Sequence, residues 1–250
     1  MIGGKTGTGK STVCSNMVAS FLLTELCSRR VLWISNEETL GESYSKLACL
    51  MLGLDWKRDY VEGTNQDLVT LIDATASELI SKVTIVTTKE GQYDTSDLDD
   101  IKTILEYAKK ETDQYAIVMI DYLQTITTSK SRPNMKSFEI SKELGNYLKR
   151  YSQICQIPIV VFCQLWDSER GPDFGSKVQN DKNFINHCHT ALEIIPDYVL
   201  HTTTIRCHKQ RWGTQQRWEV TLDFSFGRLV ATMTPGYSTT DISERSINNK

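Results

Sequence analysis

The first dozen residues, Met-Ile-Gly-Gly-Lys-Thr-Gly-Thr-Gly-Lys-Ser-Thr, constrain this chain more than any other stretch. Gly4, then four residues, then Gly9-Lys10-Ser11 form the phosphate-cradling P-loop pattern. Glycines let backbone N–H groups close around a polyphosphate, and a helix starting near Lys10 adds its positive dipole end. The Lys10 ammonium reaches the β- and γ-phosphates, and Ser11 offers a hydroxyl to Mg²⁺. The stretch therefore predicts binding of a nucleoside triphosphate with Mg²⁺ by Gly4, Lys5, Thr6, Gly7, Thr8, Gly9, Lys10, Ser11 and Thr12.

A fold follows from what comes after. Residues 10–28 carry apolar side chains at helical spacing, and 31–35 (Val-Leu-Trp-Ile-Ser) read as a short buried strand. Helices are predicted over Leu40–Leu52, 65–81, 96–112 and 136–153, alternating with apolar strands at 83–87, 116–121 and 157–163. Residues 53–63 and 166–187 read as irregular. Short strands follow near 190–195, 199–207, 216–224 and 228–232. Alternating helices and apolar strands mean an α/β fold, a mostly parallel central sheet flanked by helices. The late strands, with no helices between them, predict an antiparallel edge extension. Residues 1–236 are expected to form one unit, and the polar stretch 237–250 a disordered tail. A P-loop ordinarily follows a full strand, yet only Met1 and Ile2 precede the first glycine. The expectation is a fragment of a longer protein whose first strand is cut short.

Composition removes several classes of function. A net charge of −3 argues against a protein coated in nucleic acid, so any such contact must come from local loops. No apolar run reaches the length of a membrane span and no signal peptide opens the chain. Seven scattered cysteines without a C-x-x-C pair suit reduced thiols in a cytoplasmic compartment.

In open parallel sheets, ligands sit at the carboxyl ends of strands. Glu37, Asp121 and Gln164 all fall there. Asp121 closes a run of apolar residues where an unpaired carboxylate would be costly, so it is expected to hold Mg²⁺ with Ser11. Glu37 is the candidate to polarise an attacking water, with Glu38 assisting it or capping the next helix. Gln164 is placed to sense the γ-phosphate. Lys209-Gln210-Arg211 forms a basic tip that serves equally as a solvated hairpin or as an arginine finger for a neighbouring subunit. His187, Cys188, His189, Cys207 and His208 match no zinc spacing.

These residues resemble a known family. Val31–Glu37 is similar to the strand-plus-glutamate motif of RecA-like ATPases. Ile120-Asp121-Tyr122-Leu123-Gln124 resembles the signature of DnaB-type replicative helicases, residues 158–165 resemble their Gln-Leu strand, and Lys209–Gly213 their closing basic motif. The resemblance implies a RecA-like P-loop ATPase working as a ring, expected to be a homo-hexamer, that translocates on single-stranded DNA in a bacterial or phage-infected cell. Primase or a helicase loader are the implied protein partners. It further implies that Lys10, Glu37, Gln164 and Arg211 are catalytic, that Ser11 and Asp121 hold Mg²⁺, and that Lys209 and Arg211 act on the neighbour's ATP.

Some residues depart from that pattern. Asn36-Glu37-Glu38-Thr39 is closer to the paired-glutamate form of KaiC-like ATPases, and Trp212 stands where the helicases have Asn. The alternative is therefore a KaiC-like regulatory ATPase acting on protein partners. DNA contacts, if present, are expected from Lys130, Arg132 and Lys182.

Overall fold

In the computed structural model the described residues are 1–24, 29–88, 92–110, 115–166, 174–179, 184–211, 219–225 and 228–231. Nine strands among them form one sheet, in the order β3-β2-β4-β5-β1-β6-β7-β8-β9. The strands are β1 (Ile2–Gly4), β2 (Arg30–Ser35), β3 (Val83–Thr87), β4 (Tyr115–Asp121), β5 (Ile159–Gln164), β6 (Thr190–Asp197), β7 (Thr202–Gln210), β8 (Glu219–Ser225) and β9 (Arg228–Ala231). From β3 across to β6 every pairing is parallel, and from β6 to β9 every pairing is antiparallel. The edge extension is as expected.

The unbroken apolar runs reflect burial on two faces. Along β2, Val31 and Trp33 join one core while Leu32 and Ile34 join the other. β4 divides likewise, Met119 facing one way and Val118 and Ile120 the other. Successive strand side chains point to opposite faces, so a strand covered on both sides has no polar positions to spare. The first core is filled by α1 (Lys10–Leu23), α2 (Leu40–Leu52) and α3 (Gln66–Leu79), through Val13, Val18, Leu47 and Ile72. The second is filled by α4 (Leu98–Lys110) and α5 (Ser137–Cys155), through Ile101, Leu105, Ile140 and Leu144. Each such side chain, fully buried, contributes roughly 1.5–3 kcal/mol.

Several boundaries differ from the sequence reading for local reasons. The helix predicted over 96–112 starts at Leu98 because the Asp97 carboxylate accepts the N–H groups of Asp99 and Asp100 at 2.9 and 3.2 Å. The irregular stretch 53–63 holds a π-helical turn, Trp56–Val61, capped by Asp55 accepting from Arg58 N–H at 2.8 Å. The stretch 166–187 contains the short helix α6 (Phe174–Lys177) and a 3₁₀ turn, Phe184–His187. Val199 and Leu200, read as strand, belong to a turn closed by Asp197, whose carboxylate accepts both their N–H groups. β6 therefore runs on to Asp197 and β7 begins only at Thr202. Residues 25–28, the tail 237–250 and Lys182 lie outside the described residues. Among the described residues no helix is long and apolar enough to cross a membrane.

The short first strand has a large positional consequence. β1 lies between β5 and β6, with Gly4 abreast of Gln164 and Gly3 abreast of Glu193. The loop after β1 thus leaves from the middle of the sheet, flanked by the carboxyl ends of its neighbours.

Candidate functional site

The P-loop is the connection from β1 to α1. Gly9 caps α1 at φ 81° and Gly7 adopts φ 74°, both in the left-handed region that favours glycine. Gly4 is held by space instead, since a Cβ there would meet Thr8 Oγ1 at 2.3 Å. The Thr8 hydroxyl donates to the Lys5 carbonyl at 2.9 Å and tightens the turn. Lys10 Nζ folds over the loop and donates to the carbonyls of Lys5 and Gly4 at 2.9 and 3.3 Å. Burial lowers the Lys10 pKa, against the pull of Asp121 and Glu37. A phosphate here would give Lys10 an anionic partner in place of these neutral carbonyls.

The acids at the strand ends occupy distinct environments. Asp121, at the end of β4, is 2% exposed. Neither of its carboxylate oxygens has a hydrogen-bond partner within normal geometry. Burial pushes its pKa up to about 6; the nearby Ser11 hydroxyl counters this in part, and the Glu37 charge adds to it. Ser11 Oγ donates instead to Glu37 Oε2 at 3.2 Å. Glu37 is exposed. Glu38 turns away into an ion pair with Lys46 at 2.7 Å and accepts from Ser43 Oγ at 3.5 Å. The adjacent glutamates are separated by their partners, and the one facing the P-loop is Glu37.

An orphaned buried carboxylate beside a hydroxyl is an oxygen-donor set that suits Mg²⁺, which is typically held by one or two carboxylates together with phosphate oxygens. Among the described residues no group of three His, Cys, Asp or Glu side chains forms a self-sufficient metal cage. The fit is thus to a cation that arrives with a polyphosphate, held by Ser11 and Asp121.

Gln164 ends β5, and its amide donates to the Thr6 hydroxyl of the P-loop. The sequence-predicted residues Lys10, Ser11, Glu37, Asp121 and Gln164 therefore surround one loop. Two elements of this neighbourhood were not singled out from the sequence. A cavity of about 310 Å³ flanks the loop, lined by Gly7, Gly9, Thr12, Pro196, Tyr198 and His201, among others. Tyr198 Oη donates to the Gly7 carbonyl at 2.9 Å across 191 residues of chain. The second element is Gln124, whose amide bonds the backbone of Gln164. Only its place in the five-residue signature around Asp121 could have drawn attention to it.

The remaining candidates lie apart. Gln210 pairs with Thr190 and Lys209 with Ala191, at the start of β6, whereas the P-loop lies beyond the opposite ends of the parallel strands. Lys209 Nζ donates to the Ile185 carbonyl at 2.5 Å and Arg211 Nη2 to that of Asn186 at 2.8 Å. Neither approaches its own P-loop. Lys130 and Arg132 are each paired within the chain, to Asp100 at 2.6 Å and Glu143 at 2.5 Å. The basic loop that the sequence offers to DNA is neutralised by acids on α4 and α5.

The family model described as the DnaB-like helicase C terminal domain matches residues 1–171. A solved structure described as an ATPase domain is similar at TM-score 0.73 and 14% identity, over 92% of this chain and 83% of that one. A DnaB-like replicative helicase, described with its interactions with primase, is similar at TM-score 0.70 and 17% identity, over 92% of this chain and 56% of that one. At those identities the two structures speak to the fold, which is RecA-like. No curated protein matches the chain.

Proposed function

The chain belongs to the family of DnaB-like helicase carboxyl-terminal domains, and from that premise we propose that it is an ATP-hydrolysing motor that works as a ring on single-stranded DNA. The observation that carries the ATPase reading is the buried, unpartnered Asp121 carboxylate beside Ser11 at the mouth of the P-loop. A protein rarely keeps such a group unless a ligand completes it.

In this reading Gly4–Thr12 wrap the triphosphate and Lys10 leaves its two carbonyl partners for the β- and γ-phosphate oxygens. The Tyr198-lined cavity takes the base. Mg²⁺, held by Ser11 and Asp121 when bound, offsets charge developing between the β- and γ-phosphates. Glu37 orients and polarises the attacking water while Glu38 stays committed to Lys46. Gln164, already bonded to Thr6, senses the γ-phosphate and carries its presence into the segment after β5. Lys209 and Arg211, at the end of the sheet opposite the P-loop, serve the neighbouring subunit's ATP, which makes each site a product of two copies. Residues 1–236 act as the motor unit. By likeness to the helicase described with primase, a primase is a candidate protein partner.

One observation favours a second reading. Lys130 and Arg132 are satisfied within the chain, which suits a KaiC-like regulatory ATPase indifferent to DNA. ATPase rates with and without single-stranded DNA, measured beside the mass of the assembly, separate the two. Stimulation by DNA in an oligomer supports the helicase motor. An active oligomer that neither binds DNA nor responds to it supports the switch.

A further inference from the structure

Gln124 sits in the 3₁₀ turn Leu123–Thr125, three residues past Asp121. Its Oε1 accepts the Gln164 N–H at 2.7 Å. Its Nε2 donates to the Gln164 carbonyl at 3.2 Å and to the Gln179 carbonyl at 3.0 Å. An N–H on one side and two carbonyls on the other leave a single orientation for the amide.

These contacts lie at a junction. Gln164 stands abreast of Gly4, and the Leu165 N–H donates to the Gly4 carbonyl at 3.0 Å. The chain leaves β5 at Gln164 and returns at Gln179, whose N–H donates back to the Gln164 carbonyl at 3.1 Å. Leu165 and Val178 form an antiparallel bridge, and the Trp166 N–H donates to the Lys177 carbonyl at 2.8 Å. The Gln179 amide adds a bond to the Leu165 carbonyl at 3.2 Å. Gln124 bridges the two legs of this closed base and ties both to the strand that ends in Asp121.

We propose that Gln124 is a positioning residue for ATP hydrolysis, its amide holding the Gln164 backbone in register with the P-loop and clamping the base of the segment that follows β5. The proposal rests on the reading of Gln164 as the γ-phosphate sensor. Side-chain amides at this spacing resist sliding because a shift of β5 against β4 breaks three bonds together and leaves half-buried backbone groups unsatisfied. A change sensed at Gln164 is therefore delivered to the Gln179 leg rather than absorbed as slack.

The test is steady-state ATP hydrolysis with Mg²⁺ by the full chain carrying Gln124→Glu, Gln124→Ala or Gln164→Ala, across pH. A carboxylate at 124 still accepts from the Gln164 N–H but donates to neither carbonyl, and a protonated carboxyl regains one donor. Gln124→Glu is expected to keep its KM within about twofold and to lose about tenfold or more in kcat near pH 8. Its kcat relative to the unsubstituted chain should recover several-fold as the pH falls to about 6, while that of Gln124→Ala stays low. Taking the ratio at each pH cancels titrations common to both proteins, and Gln124→Ala, which adds no carboxyl, is the control without the new charge. A flat ratio for Gln124→Glu, a loss confined to KM, or normal turnover overturns the proposal. If Gln124→Ala does not fold, the pH dependence of the Gln124→Glu ratio still decides. Slow turnover by Gln164→Ala with normal turnover by both Gln124 variants overturns the positioning role alone. Normal turnover by Gln164→Ala overturns the sensor reading, and the proposal with it.

Discussion

The Ser11 hydroxyl donates to Glu37 Oε2 at 3.2 Å, closing the gap between the P-loop helix and the end of β2 while Asp121 beside them goes unpartnered. That bond uses the hydroxyl proton, so the Ser11 oxygen keeps its lone pairs for a cation. The acid proposed to polarise water, Glu37, and the acid proposed to coordinate Mg²⁺, Asp121, thus begin in different states of satisfaction.

This asymmetry sets the first prediction. Glu37→Gln should bind ATP with near-unchanged affinity and lose turnover by roughly 10²–10⁴-fold, the usual worth of a general base. Glu38→Gln should lose far less, since Glu38 is held by Lys46 at 2.7 Å and Ser43 at 3.5 Å on α2. Equilibrium binding and single-turnover hydrolysis, measured separately, check both. A dead Glu38→Gln beside an active Glu37→Gln would reverse the assignment.

Asp121 links stability to pH with a definite sign. Its pKa is lifted from the ordinary carboxylate value to about 6, so the folded state holds this proton more tightly than the unfolded chain. The group's contribution to stability is then greatest below about pH 4 and is lost as pH rises through about 6. By pH 8, without nucleotide and Mg²⁺, the buried charge costs on the order of 1–3 kcal/mol. Asp121→Asn should therefore raise the thermal midpoint at pH 8, the gain shrinking toward pH 4, and abolish Mg²⁺-dependent turnover. Thermal unfolding at the two pH values decides it; a variant less stable at pH 8 contradicts the account.

The Arg211 guanidinium rests on the Asn186 carbonyl at 2.8 Å, at the end of the sheet opposite the P-loop. Arg211→Ala should leave nucleotide affinity intact and reduce turnover by about 10³–10⁵-fold, as removal of an arginine finger does. Mixing it with Lys10→Ala, itself inactive, should restore some activity at junctions that pair one intact P-loop with one intact finger. Failure to complement at any mixing ratio, with subunit exchange demonstrated, counts against action in trans.

Lys130 has a partner to give up before it can meet a phosphate. Its ion pair with Asp100 is exposed on the lysine side, and exposed pairs are worth only about 0–1 kcal/mol, so the exchange is cheap. Asp100→Asn keeps an acceptor for the Asp94 N–H and releases the lysine. Retention on single-stranded DNA at low salt should rise several-fold, an order-of-magnitude expectation for one added phosphate contact. The gain should vanish when Lys130→Ala is combined with it. Fluorescence anisotropy over a salt series measures both the affinity and its slope. No gain at any salt removes this loop from the DNA surface.

Much of this architecture was legible because it depends on local pattern. The glycine spacing from Gly4 to Gly9 specifies the phosphate loop, since only those backbone angles and that close approach admit it. Apolar runs such as 116–120, closed by an acid, identify strands buried on both faces and place Asp121 at a carboxyl end. Strand order was not legible, because pairing partners are chosen by packing across the whole chain. Nothing near Ile2 says that β1 slots between β5 and β6, abreast of Gln164 and Leu192. The division of labour between Glu37 and Glu38 came only from Ser11 and Lys46, which lie on different helices. The neutralisation of Lys130 came from an acid 30 residues upstream. Gln124 bonds backbone atoms 40 and 55 residues away, and backbone groups leave no residue type to read. Periodicity and motif spacing follow from chain stereochemistry and are written locally; charge pairing, amide clamps and the location of the Tyr198 cavity depend on which distant surfaces meet, and only the folded chain brings them together.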